Sequence, residues 1–301
     1  MKFVSSTIQI LRNTFRELVS NDPLRMAGAT AFFTTFALPP ILIIIIQLLG
    51  SIFGKKSIGG QLFRQLDQML GQESALQILE TLRAFRSLAE NPFITIGGFI
   101  FLLFVATTLF RVIKNSINQI WKVKVGKKKV LQTLTSRLKS VGVIVSAGLL
   151  LFIGVIAEAA NVFLAGYLEK LLPQMAVYFN SVLSYFISII IVTVWFVLVF
   201  HFLPDGRAPL RTTIVGGIVT SIAFNIGKLI LRWLLNYSNI STIFGTSSAI
   251  VLILLFVFYT ALIFYFGAAF TKIWGEFSGR PVKPLPHAVK YRLTETDINT
   301  N

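Results

Sequence analysis

The chain has 301 residues, of which 54% are hydrophobic and only 13% charged. A typical soluble domain is about 25% charged, so the composition excludes an ordinary soluble enzyme and points to a polytopic membrane protein. The net charge of +16 would suggest nucleic acid as partner of a soluble chain, but in a membrane chain it reflects cationic loops on the cytoplasmic side.

The first 26 residues mix charges with scattered apolar positions. They have no apolar h-region and no small-residue cleavage site, so no cleaved signal peptide is expected. Residues 4–20 place Ile8, Leu11, Phe15 and Leu18 on one face, with Arg12 and Arg16 off it. That pattern predicts a helix on the inner membrane surface.

A spanning helix needs about 20 mostly apolar residues. Six segments qualify: 27–53, 93–113, 140–165, 180–203, 212–236 and 246–274. The sequence thus predicts an all-α, polytopic membrane protein: one six-helix domain over 1–278, amphipathic interfacial helices, and a flexible cytoplasmic tail over 279–301.

The first span contains Pro39 and Pro40. Proline removes helical donors and disfavours helix before it, which predicts a kink or break near Leu38. Thr30 and Thr34, one turn apart, are placed to satisfy freed carbonyls or to line a cavity. Broken helices at membrane depth mark transporter sites; a plain kink is the simpler alternative. In the next connection, 61–90 predicts an outer amphipathic hairpin, interrupted at Gly71 and stopped by Asn91-Pro92. Such a hairpin either covers the outer mouth of the bundle or only packs there.

After the second span comes the basic run "WKVKVGKKK", with Lys122, Lys124, Lys127, Lys128 and Lys129, preceded by Lys114. Its position beside a span favours attraction to anionic lipid headgroups, about 1 kcal/mol per Lys, over RNA. The turn "FLPDGR" after the fourth span offers Asp205 as a structural partner for Arg207 or Arg211. Gly216 and Gly217 predict close helix packing. His201 reads as interfacial, and His287 as part of a mobile, Pro-rich tail.

The fifth span breaks the membrane rule. Ser221, Asn225, Lys228, Arg232, Asn236 and Asn239 form one polar stripe at helical spacing. A stripe of this length faces the bundle interior or water, not lipid. Counting from Arg211, Lys228 is roughly 25 Å deep and Arg232 roughly 31 Å. Arg232 can therefore snorkel to the outer interface, whereas Lys228 needs a partner. Glu158, with Asn161 one turn on, is the acid at matching depth, roughly 28 Å from Lys139. A Glu158–Lys228 pair follows, shared with Arg232; it either locks two helices or serves a substrate or proton path.

Orientation comes from the connections. Twenty Lys and Arg fall on the side of both termini, the second and the fourth connections, against six on the other side. This excess predicts cytoplasmic termini and an even number of spans.

The order of "AGATAFFTTFALPPILI", "LFRVIKNSINQIWKVK", "FHFLPDGRAPLRTTIVGGIV", "NIGKLILRWLLNYSN" and "IFGTSSAIVLILLFVFYTALIFYFGAAF" resembles the YihY/BrkB family of bacterial inner-membrane proteins over roughly residues 10–275. Two positions depart from the family pattern. Phe244-Gly245-Thr246 stands where a Tyr-Gly-Ser type turn is usual. Ala269 stands where the last span often has Glu, so no role of that carboxylate carries over. The resemblance implies six membrane helices. The family was once named as a ribonuclease, and it has been linked to serum resistance. Some members look connected to export of lipid or lipopolysaccharide precursors.

Three functions are weighed. The stripe, its cations and the broken first helix fit a transporter or exporter of an amphiphilic or anionic substrate. Covering helices on both sides fit a non-transporting scaffold or regulator. A ribonuclease wants a His pair or metal-holding carboxylates, and the two His and the cytoplasmic acids are not so spaced. The expectation is a bacterial inner-membrane, multi-pass protein that is not an enzyme, with no cofactor, no metal and no nucleic-acid partner. Membrane lipids are its expected partners, and a homo-oligomer remains open.

Overall fold

A computed structural model describes residues 2–37, 92–126, 173–237 and 248–292, with short pieces at 60, 63–64, 72, 75–76 and 79–80. The expected helix break at Pro39-Pro40, the span 140–165 with Glu158 and Asn161, most of the 61–90 hairpin, Lys127 to Lys129 and the turn 244–246 lie outside the described residues. So do the side chains of Arg232 and Asn236.

Six helices are described. They are α1 (Lys2–Val19), α2 (23–37), α3 (Pro92–Ile120), α4 (Pro173–Phe202), α5 (Leu210–Tyr237) and α6 (Ser248–Phe277). Two antiparallel ribbons complete the set. In one, β1 (Val123–Val125) pairs with β4 (Ala288–Lys290); in the other, β2 (Gly206–Arg207) pairs with β3 (Lys283–Pro284). The chain is mostly helical, with a small β component that an all-α reading did not anticipate.

α1 buries Ile10, Thr14 and Leu18, one residue per turn, and packs on α6. Ile8, Leu11 and Phe15 stay exposed. Leu18 is therefore core, and not part of the expected membrane-facing set. The helix stops at Asn21, whose amide donates to the Glu17 carbonyl at 2.6 Å, and at Asp22, which takes a left-handed φ of 55°. Acidic and amide side chains tolerate that conformation best after glycine. Pro23 then opens α2, where its missing N–H costs nothing.

α3 starts at Pro92 for the same reason. It runs to Ile120, seven residues past the expected end of its span, and so carries Lys114 and Asn118 on a helix. Lys122, with φ 53°, turns the chain into β1.

α4 packs on α5, α5 on α6, and α6 also on α3. The core between them is aromatic. Phe200 and Phe264 have ring centroids 5.1 Å apart, and Phe196 touches both Phe224 and Phe264. Two described helices, Leu210–Leu231 and Ile250–Phe277, are long and apolar enough to cross a membrane. The glycine pair divides as close packing requires: Gly216 abuts Thr271 of α6, and Gly217 abuts Val197 of α4.

The stretch expected to be a flexible tail from Gly279 is instead a strap through Lys290. It contributes β3 and β4, and ties back through Arg280 N–H to the Gly275 carbonyl (2.7 Å) and Tyr291 N–H to the Lys122 carbonyl (3.0 Å). The polarity of this segment is satisfied by ladder partners 76 to 167 residues earlier in the chain, which no local reading reveals. The ribbons, the α1–α2 turn, the ends of α3 and α6 and the α4–α5 turn all meet at one end of the helices, here the base.

Candidate functional site: a buried charge network at the base and a polar edge on α5

The base holds two ionic centres. In the first, the carboxylate of Asp205 is buried in the α4–α5 turn. It receives Lys114 Nζ at 2.8 Å, Asn118 Nδ2 at 2.8 Å and His287 Nε2 at 2.9 Å. An ionised carboxylate only accepts, so His287 carries its proton on Nε2. The backbone joins in: Asp205 N–H donates to Asn118 Oδ1 at 2.8 Å, and the Asp205 carbonyl accepts from Leu285 N–H at 2.9 Å. Asp205 thus links α3, the α4–α5 turn and the strap. Burial pushes its carboxyl up, but the hydrogen bonds from Lys114 and His287, with the Lys114 charge, outweigh burial and hold it below the ordinary carboxylate value.

In the second centre, Glu17 of α1 meets Lys272 Nζ at 2.9 Å and Lys122 Nζ at 3.7 Å. Lys122 also donates to Asn21 Oδ1 at 2.8 Å. Burial lowers the Lys122 ammonium below its ordinary value; Glu17 opposes that shift and Lys272 adds to it. Burial, then the Glu17 charge, raises the Tyr291 phenol. Next to Lys122 in the chain, Trp121 is fully buried and its indole N–H donates to the Ala268 carbonyl at 2.9 Å. Trp121→Phe removes that bond and leaves a small void. It is expected to cost about 1–3 kcal/mol, read as a lowered melting temperature of the detergent-purified protein; an unchanged melting point would show that the indole bond contributes nothing.

Several sequence-based assignments change here. Asp205 pairs with Lys114 and His287, while Arg207 and Arg211 are exposed. His287 is held in the network and is not mobile. Lys122 is half-buried against Glu17 and Asn21, and so is not a free lipid-facing charge; Lys124, on β1, is exposed. Lys114 likewise faces inward. Cations beside a membrane span face outward by default, but the carboxylates of Asp205 and Glu17, from distant segments, draw Lys114 and Lys122 inward. The signal available in the sequence was the scarcity of acids, 12 against 28 cations, which makes any acid in a tight turn a candidate hub.

The second feature is the polar edge of α5. Ser221 is fully buried and its hydroxyl donates to the Ile189 carbonyl of α4 at 3.0 Å. Asn225 is buried; its amide donates to the Ser221 carbonyl at 2.9 Å, and its Oδ1 has no hydrogen-bond partner among the described residues. Lys228 is half-buried. Ile222, Ile226, Leu229, Ile230, Trp233 and Leu234 on the other face are exposed. The described part of the stripe therefore turns into the bundle. Phe224, also on α5, is buried in the aromatic core.

Thr30 bonds differently from expectation. Its hydroxyl donates to the Met26 carbonyl at 2.9 Å and accepts from Tyr265 at 2.6 Å, tying α2 to α6. The carbonyls that Pro39 and Pro40 would free lie further along the helix. Thr34 is half-buried.

Long apolar helices, an inward polar edge and a charged base define a helical membrane protein. The chain belongs to the virulence factor BrkB family, whose model matches residues 14–290, a range that takes in Glu17, Lys114, Lys122, Asp205, Lys272 and His287. It is similar to UPF0761 membrane proteins of Saccharophagus degradans (23% identical, covering 91% of this chain and 61% of the relative), Teredinibacter turnerae (25%, covering 90% and 61%) and Psychromonas ingrahamii (23%, covering 92% and 91%). The chain spans about three fifths of the length of the first two. No solved structure matches.

Proposed function

We propose that this protein is a six-span inner-membrane transporter or exporter that moves an amphiphilic or anionic substrate along the polar edge of α5, and that it is not an enzyme. The observation that carries the reading is Asn225. Its carbonyl oxygen is buried at membrane depth, beside the buried Ser221 and one turn from Lys228, with no protein partner among the described residues. A buried unpaired acceptor is costly, and water or a substrate donor in a pathway would relieve that cost. The base lies at the cytoplasmic surface in this reading. The α1–α2 turn, the starts of the second and fourth connections and the strap meet there, and these are the segments rich in Lys and Arg. Anionic headgroups are its natural neighbours.

The absence of cysteine makes the test clean. Single cysteines at Ser221, Asn225 and Lys228 are expected to react with a charged, membrane-impermeant thiol reagent added to vesicles of defined orientation. Ile226→Cys, on the lipid side, is expected to resist it. If the three polar-edge cysteines resist as fully as the Ile226 variant, the bundle is dry, and the chain is better read as a membrane scaffold.

A further inference from the structure

A cavity of about 960 Å³ opens between α1 and α6. Phe15, Leu18 and Val19 of α1 form one wall, and Leu262, Ile263 and Phe266 of α6 the other. Phe15 and Val19 are more than half exposed although apolar, so the groove presents hydrocarbon to whatever surrounds it. Relative to Lys272 in the base, Phe266 is roughly 9 Å and Leu262 roughly 15 Å further into the apolar helix.

The mouth is polar and lies at the α1–α2 turn. Arg25 stands there, with its side chain 64% exposed. One of its nitrogens is held by Gln119 Oε1 at 3.3 Å, and its acid neighbour Asp22 is 3.8 Å away and 74% exposed, a separation at which an exposed pair is weak. Arg12 and Arg16 are exposed on α1, outside the groove lining, so α1 and the start of α2 carry three exposed cations against one exposed acid, Asp22. An apolar trough inside the membrane, with the Arg25 guanidinium at its polar end, has the charge and polarity order of one molecule class.

We propose that this groove binds a single anionic glycerophospholipid, with an acyl chain along Leu262, Ile263 and Phe266 and the phosphate headgroup at Arg25. The volume lies within the range of ligand pockets, and a guanidinium is the side chain best matched to a phosphate oxygen pair. The site rests on the membrane placement of the chain and not on the transport reading. It therefore survives if the α5 edge proves dry.

The test is native mass spectrometry of the full-length, detergent-purified protein with equal amounts of dioleoyl phosphatidylglycerol and dioleoyl phosphatidylcholine. The expected result is one retained phosphatidylglycerol adduct in preference to phosphatidylcholine, unaffected by excess glycerol phosphate, which has the headgroup chemistry without chains. Ile263→Trp, which fills the trough, is expected to reduce that adduct about tenfold. Arg25→Gln is expected to lower phosphatidylglycerol occupancy about tenfold, to the phosphatidylcholine level. Equal retention of the two lipids by the unmodified protein overturns the proposal, as does displacement by glycerol phosphate. An adduct untouched by Ile263→Trp in protein of unchanged helical circular dichroism also overturns it. Should Ile263→Trp not fold, Arg25→Gln decides alone: undiminished phosphatidylglycerol preference overturns the site.

Discussion

Asp205→Ala is expected to cost about 3–5 kcal/mol, because it takes from the Lys114 ammonium in the base the carboxylate 2.8 Å away. The Lys114 side chain is only 13% exposed, so water cannot replace the lost carboxylate without opening the structure. The same change also orphans Asn118 Nδ2 and His287 Nε2, and with them the side-chain tie between the strap and the α4–α5 turn. Asp205→Asn keeps the shape but turns one acceptor into a donor facing donors, so it too should be strongly destabilising. Adding Lys114→Met to Asp205→Asn removes that ammonium and should recover a measurable part of the loss. Thermal melting of the detergent-purified variants measures each step. An Asp205→Ala protein that melts within about 0.5 kcal/mol of the parent, as a neutral surface change would, would sink the claim that this carboxylate organises the base.

The same carboxylate sets an acid limit. Its pKa is held below the unfolded value of about 3.9. Stability from its ionised form is therefore complete above that value and is lost as pH falls through the lower, folded one. The melting temperature should drop as pH is taken below about 4, and Asp205→Asn should lack this part of the acid limb.

The inward turn of α5 was legible because it rests on periodicity. Ser221 and Asn225 are spaced one turn apart on a helix whose other face is aliphatic, and only one placement in a membrane suits that pattern. The end of α3 was not legible. Hydropathy fades after Val112 because Lys114, Asn115, Ser116 and Asn118 are polar, yet the helix continues since Ser116, Ile117, Asn118 and Ile120 are all buried in the base. The strap was hidden for a related reason. "KPLPHAVK" reads as a polar, Pro-rich tail until β1 and β2 are there to pair with it, and Pro284 is tolerated because its strand lies at the edge of a two-stranded ribbon. Proximity in sequence matches Asp205 to Arg207 and Arg211. Its real partner on the strap is 82 residues away, brought close only by the ribbons. Periodicity reports a helix's own faces; the base is made of contacts between segments, and those depend on the whole chain.

Gly216→Ala and Gly267→Ala are each expected to destabilise the α5–α6 pair by about 1–3 kcal/mol, the usual range for overpacking. The two glycines belong to one reciprocal arrangement. On α5, Gly216 is followed one turn later by Thr220; on α6, Gly267 is followed one turn later by Thr271. Thr271 abuts Gly216 and Thr220 abuts Gly267, so each helix offers a glycine to the other's threonine, as antiparallel neighbours with matching four-residue repeats can. Each threonine hydroxyl also donates to the carbonyl of the glycine on its own helix, Thr220 to Gly216 at 2.6 Å and Thr271 to Gly267 at 2.7 Å. That bond pins the side chain where a new Cβ would arrive, and rotation away would forfeit it. Thr271→Ala in the Gly216→Ala background removes the pinned hydroxyl and should restore part of the stability, a coupling that a double-mutant cycle reads directly. Gly227 supplies the contrast. A Cβ there would meet the ring end of Tyr259, a long side chain that can swing at the expense of one 3.2 Å bond to the Phe224 carbonyl. Gly227→Ala should therefore be milder than either threonine-facing change. If all three variants melt alike, the pinned threonines do not set how closely α5 and α6 approach.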